Sequence, residues 1–600
     1  MNNVSSSKTL SLPGAVRLLL WIVLLLLTSA ILLFPVTLNF EYHAVESLYI
    51  FGDYLWLFGI LFVLWMAVLL LLLLSRIGEW QRITLIAIFA TVFFGFWVIV
   101  APYGGYADGL VNMGHVKYLS QTENIAFDHI NLAYFQYPGI HLTGFALSEI
   151  SGLEILEIRT FFLIFCRVLL AILLYLLFSR SIKNPQMASL AVIFLVCGAM
   201  LITRTMFHAQ ATAIIFFVLM LYFLLKGGAL AKPALISLFI ICFAALTISY
   251  VPLPIFFIFA LGGIYIINKI NQQKTVSMTL LVLCAVVFLI WQMFWATRMF
   301  EGLAGHMEDF IAAFEDPLER ILPMFAAGTQ SLGEATPLWA SLTRYFWLLF
   351  LYLFGGLLAI RNLFRIKKLD SIGTVETGGL WGILIASAVA VFAFAEGTQY
   401  HRLLMYVPFL AVPIIIKFIL GIRQDKRDVQ FVDIPLSQNQ IGANKLSLIT
   451  VPLLLLVMSF PTFLVNHSSI NTQSVYEYEL SSGEFVGDYF EQDRLLFISD
   501  VVTVYSFIYY IPDAELSHPA QVWDITDEEE LWLSFQQRIE RFYTYKEPAV
   551  FAITERFFQP YVSAYSINET DPEWIAFISQ LMPYNMIYNN GHTNIYINQP

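Results

Sequence analysis

The stretch Tyr103–Gly144, YGGYADGLVNMGHVKYLSQTENIAFDHINLAYFQYPGIHLTG, carries Asp108, His115, Asp128, His129 and His141, residue types that move protons or hold ions. The stretch is polar and lies between two apolar runs. A loop of this length at a membrane surface is uncommon unless it binds something or does chemistry. Asp108 could act as a general base on a hydroxyl. It could also be the N-cap of a helix running over Gly109–Leu119. His115 follows seven residues later, two helical turns along the same face, and could bind a polar ligand or a divalent metal, or simply pack at the interface. His141 stands just inside a helix start marked by Pro138 and has the same two readings. Asp128-His129 reads as a solvated turn.

Further polar groups recur at two later points. Arg204 and His208 flank the turn in TRTMFHAQ, and Glu396 precedes Gly-Thr-Gln-Tyr-His401-Arg402. An arginine there could snorkel to the headgroups, or grip a phosphate with its planar fork. Glu396 is a candidate second acid. In the Arg298–Pro337 loop, the spacing of Phe, Leu, Met and Ile predicts an amphipathic helix lying on the outer surface. Its His306, Glu308 and Asp309 have no diagnostic metal spacing.

These groups sit in a chain that is 59% hydrophobic and only 12% charged. A soluble domain carries roughly 25% charged residues, so the composition is that of an integral membrane protein. Cys166, Cys197, Cys242 and Cys284 all fall inside apolar runs, with neither a disulfide framework nor metal-ligand spacing. No P-loop or dinucleotide-binding glycine pattern is present, which argues against a nucleotide-powered pump. No basic tract suggests nucleic acid.

Runs of about 17–25 apolar residues can cross a bilayer as helix. They occur near 16–36, 50–74, 83–101, 156–178, 187–203, 208–225, 233–249, 251–268, 276–297, 338–360, 379–395, 403–421 and 446–465, about 13 in all. Pro252 and Pro254 leave open whether 233–268 is two spans or one broken hairpin. Lysine and arginine then sort the connections. Arg76/Arg82, Arg180/Lys183, Lys226/Lys232, Lys269/Lys274, Arg361–Lys368 and Arg423–Lys445 share one face with Lys8 and Arg17. That face is the cytoplasmic one, with the N-terminus inside. The loops 102–155 and 298–337, the Arg204–Gln210 turn and Glu396–Arg402 then fall outside. The span interiors carry few charges, whereas a transporter would scatter them at the midplane.

From Asn466 the character changes. Residues 466–600 hold 20 acidic against 5 basic side chains, a balance of −15, while the remainder stands at +4. Leu495–Ser499 and Ala549–Thr554 read as short buried strands. Asp527–Tyr543 reads as an amphipathic helix, and Asn585–Asn598 as a hairpin around Asn590-Gly591. The chain is therefore expected to comprise a membrane domain, 1–465, and an extracytoplasmic α/β domain, 466–600. Asn466-His-Ser and Asn568-Glu-Thr are glycosylation sequons on the outer side.

Tyr106-Ala-Asp108 soon after a span, then His115, then Tyr137-Pro138-Gly-Ile-His141 leading toward the next span, resembles the GT-C superfamily of polytopic glycosyltransferases. The resemblance covers roughly residues 83–421, with two spans preceding the matched module. It extends distantly to protein mannosyltransferases and oligosaccharyltransferases. The latter's WWD-type motif is not present, and Val522-Trp523-Asp524 is a faint echo of it. The resemblance implies a GT-C-like helical fold and a polyprenyl-phosphate-linked sugar donor. It also implies inverting transfer to a glycan, lipid or protein acceptor at the outer face of the plasma membrane. Asp108, with His115, would be the base or hold a divalent metal. Tyr106, His141, Arg204, His208, Glu396, His401 and Arg402 would bind substrate or lipid phosphate, Arg402 in a place where family members often carry arginine. The loop 298–337 would correspond to a mobile external loop. The rival expectations are a transporter of lipid-linked saccharide or polysaccharide, and a non-catalytic surface-assembly protein.

Overall fold

The structure, a computed structural model, describes residues 77–100, 107–123, 136–198, 207–226, 233–273, 275–297, 338–393, 406–419, 481–486, 496–498, 515–517, 549–554, 585–589 and 593–598, with a few isolated positions besides. Besides a helical stretch at 481–486 and a 3-10 turn at Ile366–Lys368, twelve α-helices stand among the described residues. They are α1 Glu79–Val100, α2 Ala107–Thr122, α3 Gly139–Ser151, α4 Ile155–Ile182, α5 Pro185–Gly198 and α6 Ala209–Leu225. There follow α7 Pro233–Ser249, α8 Pro252–Asn271, α9 Met278–Phe294, α10 Leu338–Leu363, α11 Ser371–Ala393 and α12 Pro408–Ile419. Each apolar run from 83–101 to 403–421 thus carries a helix. The runs 16–36, 50–74 and 446–465 lie outside the described stretches. Among the described residues, three helices are both long and apolar enough to cross a membrane by themselves: α4, α8 and the Ser371–Val389 part of α11.

Local chemistry sets the helix ends. The 233–268 region is two helices, because α7 stops at Ser249 and Pro252 opens α8 with a fixed φ and no N–H to leave unpaired. The Glu157 carboxylate accepts from the Glu154 N–H at 3.1 Å at the start of α4. Ser277 caps α9 through the Leu280 N–H at 3.2 Å. Gly152 ends α3 in the left-handed region at φ +67°, where a Cβ would be strained, and its N–H reaches the Ser148 carbonyl at 2.8 Å.

Buried apolar side chains from α1 and α4–α12 form one continuous core. Along the contact of α8 with α11, a methyl added at Gly263 would run into the Gly378 carbonyl, and one at Gly382 into the Phe259 carbonyl. Small residues let these two backbones meet, as they commonly do between membrane helices. A second, smaller core joins Leu110, Met113 and Val116 of α2 to Ile140 of α3. It also takes in Ile155, Ile158 and Phe162 of α4, and Phe207 and Ala209 at the start of α6.

The interior holds more charge than the apolar runs suggested. Lys417, in the last turn of α12, donates to both carboxylate oxygens of Glu376 on α11 at 2.6 Å. Ser181 at the end of α4 donates to the same carboxylate. Both charged groups are buried. They lie toward the helix ends that the lysine and arginine pattern assigns to the cytoplasm, not at the midplane. Arg167, buried within α4, sits over the Phe94 ring of α1 at 5.9 Å, an arrangement that returns part of its lost hydration.

Near the C-terminus five strands form one sheet, order β2-β1-β3-β5-β4. They are β1 Leu496–Ile498, β2 Glu515–Ser517, β3 Ala549–Thr554, β4 Asn585–Asn589 and β5 Thr593–Asn598. β1 pairs in parallel with β2 and β3, while β3–β5 and β5–β4 are antiparallel. Ala549, Val550, Phe551 and Ala552 are all buried, as a continuous apolar run requires of a central strand. The helix expected over Asp527–Tyr543 lies outside the described residues, apart from isolated positions.

Candidate functional site

α2 is a poor helix by composition. ADGLVNMGHVKYLSQT contains two glycines and an asparagine within its first half, residues that weaken a helix interior. Packing against α3 and α4 therefore has to hold it, and the smaller core does so through Leu110, Met113 and Val116. The helix begins at Ala107, so Asp108 lies in its first turn rather than preceding it. The spacing 108, 112, 115 puts Asp108, Asn112 and His115 on one face of α2.

Asn112 and His115 are buried. His141, third residue of α3 and also buried, bonds through Nε2 to Asn112 Oδ1 at 2.9 Å. Its ring meets His115 edge-to-face, with centroids 5.0 Å apart. His208 caps α6, its Nδ1 accepting from the Gln210 N–H at 3.1 Å, and its ring lies edge-on to Tyr250 at 5.7 Å. Gln210 donates in turn to the Tyr406 hydroxyl at 3.3 Å, just ahead of α12. The starts of α3, α6 and α12 thus meet beside α2. α3 reaches this place because Gly139 lies against Ser249 at the end of α7, in a gap that a Cβ would fill. The residues ahead of it are tied to α9: the Tyr137 hydroxyl donates to Gln292 at 2.8 Å, and the Trp291 indole to the Gln136 carbonyl at 3.1 Å.

Burial holds the His141 pKa well below the ordinary histidine value, and His115 and then His208 lower it further. His141 is therefore neutral at pH 7. With Nε2 protonated it donates to Asn112. Linkage fixes the sign of its effect. The unfolded chain takes up a proton near pH 6.5 where the folded chain does not, so stability falls as pH drops below that value. The limiting slope is about 1.4 kcal/mol per pH unit. Unfolding by sodium dodecyl sulfate titration at pH 7.5 and 5.5 should show the loss, and His141→Gln should reduce it.

Of the expected site residues, the structure brings His115, His141 and His208 together. Asp108 is described only by its place on α2. Tyr106, Arg204, Glu396, His401 and Arg402 lie outside the described residues, as does the 298–337 loop. Among the described residues no three His, Cys, Asp or Glu side chains gather as a metal ion would need. Sequence reading passed over Asn112, although its i+4 spacing from Asp108 was visible. It also passed over Arg159, which is buried four residues into α4 on the face shared with Ile155 and Leu163. A cation near the start of the 156–178 apolar run was the available signal. Gln210 and Tyr406 carried no such mark.

No protein-family model and no curated protein matches the chain. Among solved structures, ArnT from Cupriavidus metallidurans in the apo state aligns at 10% identity and TM-score 0.45, covering 86% of this chain and 98% of that one. The same protein bound to undecaprenyl phosphate aligns at 9% identity and TM-score 0.42, over 87% and 98%. The apo oligosaccharyltransferase of Archaeoglobus fulgidus aligns at 12% identity and TM-score 0.47, over 82% and 72%. All three TM-scores lie below 0.5, and these proteins are what this chain is similar to.

Proposed function

We propose that the chain is an integral membrane glycosyltransferase that moves a sugar from a polyprenyl-phosphate carrier to an acceptor at the outer membrane face. The supporting observation is the meeting of the α3, α6 and α12 starts around Asn112, His115, His141, His208, Gln210 and Tyr406, on the face of α2 that also carries Asp108. In the inverting step, Asp108 takes the acceptor hydroxyl proton as that oxygen bonds to the sugar's C1. The C1–oxygen bond to phosphate breaks, and polyprenyl phosphate leaves with the electron pair. Its charge needs a cationic partner, and Arg402 is assigned that part. Arg402 stands four residues before Tyr406, a chain reach of at most about 14 Å. The acidic segment 466–600 shapes acceptor access.

The purified chain in phospholipid vesicles should release free polyprenyl phosphate from at least one of a panel of polyprenyl-phosphate hexoses and pentoses, in the presence of candidate acceptors. Movement of those lipids across the bilayer without release would instead favour a transporter. Arg402→Lys keeps the charge but loses the two-pronged contact. It should raise the donor KM roughly tenfold, the cost of one charge-assisted hydrogen bond. An unchanged KM would remove Arg402 from the phosphate site.

A further inference from the structure

We propose that His141, acting through Asn112, is the positioning residue for the first turn of α2, the turn that carries Asp108. The proposal rests on the functional reading above for its catalytic consequence, but its structural claim stands apart. In an α-helix the Asn112 N–H closes the turn onto the Asp108 carbonyl. Whatever pins Asn112 therefore pins the backbone of Asp108. α2 cannot supply that rigidity itself, since Gly109, Asn112 and Gly114 all weaken it.

The pin is built from outside the helix. His141 Nε2–H donates to Asn112 Oδ1 at 2.9 Å, and both residues are buried, so water does not compete for the bond. The His141 ring is itself held, edge-on against His115 at 5.0 Å and on a helix whose start lies against Ser249. Gly144, one turn further along α3, lies so near its neighbours that a Cβ there would fall 2.8 Å from Val116 Cγ2 and 2.9 Å from Phe207 Cζ, and would press on Ile155 Cδ1 at 3.1 Å. α3 is thus wedged among α2, α4 and the start of α6, and its first turn is a rigid mount. His141 and Asn112 on this account touch neither donor nor acceptor; they act through the backbone that carries the base.

The test compares His141→Phe, which keeps a ring but loses the donor, with Asn112→Leu, which loses the acceptor. His141→Gln, which can still donate, serves as the conservative variant. With the full chain in phosphatidylethanolamine–phosphatidylglycerol vesicles, hydrogen–deuterium exchange is read at the amides of residues 111–113. These should exchange roughly tenfold faster in the Phe and Leu variants, near the native rate in the Gln variant, and unchanged across α8 and α11. Unaltered exchange at 111–113 would overturn the proposal. So would an equal acceleration across α8 and α11, which means global loosening. Release of polyprenyl phosphate should show kcat falling with the donor KM retained. If Asp108→Asn keeps full turnover, the base assignment fails while the exchange result still decides the positioning claim.

Discussion

Asp108→Asn is expected to lower sugar transfer by about 10²–10⁴-fold, the range that a positioned general base contributes. The chain should still insert in the membrane and keep its stability. The substitution separates the two roles open to this residue. Asparagine is nearly isosteric with aspartate and serves about as well near a helix start. It loses only the favourable charge at the helix N-terminus, which is worth about 0.3–1 kcal/mol. If Asp108 merely stabilises the first turn of α2, the variant is almost silent in both activity and stability. If Asp108 takes the acceptor proton, the amide cannot, and turnover collapses while the exchange rates of 111–113 stay native. Full release of polyprenyl phosphate by the variant would remove the central assignment.

Glu376→Gln should destabilise the helical bundle by about 3–5 kcal/mol, because it leaves the Lys417 ammonium buried without its counter-charge. The geometry makes this a large effect: Lys417 reaches both carboxylate oxygens at 2.6 Å, and Ser181 donates to the same group. The three residues come from α11, α12 and α4, so the pair joins three helices rather than bracing one. A triple change, Glu376→Met with Lys417→Met and Ser181→Ala, strands no polar group. It should recover most of the loss, since apolar replacements of a buried ion pair are often neutral or stabilising. Sodium dodecyl sulfate unfolding of the single and triple variants checks both statements. A single variant within 1 kcal/mol of the parent would mean that water reaches Lys417. The transfer reaction, at the other helix ends, should survive in the triple variant.

The helical course of the chain was legible before any coordinates. Span length and prolines act locally, so the runs from 83–101 to 403–421 coincide with helices. Pro252 marks the break that separates α7 from α8. β3 begins and ends at Ala549 and Thr554, as its apolar run suggested, because a strand buried on both faces must be apolar throughout. β2, Glu515–Ser517, was not legible; three residues hold too little pattern, and the strand exists through its parallel pairing with β1.

The site was legible only in its residue types. Asp108, His115 and His141 could be marked as chemistry-bearing from composition and spacing. That His141 reaches Asn112, 29 positions away in sequence, depends on how α2 and α3 are rotated and wedged together. The same holds for Gln210 with Tyr406, 196 positions apart, and for Ser181 with Glu376, 195 apart. Periodicity tells which side of a helix is apolar; it does not tell which polar side chain will stand opposite on another helix. Local patterns thus settled the helical runs from 83–101 to 403–421 and the course of β3. Its tertiary packing alone decided that histidines lie buried beside the helix face of Asp108, and that an ion pair closes the opposite end of the bundle. Both pairings exist because burial leaves a polar group no partner but the one that packing brings.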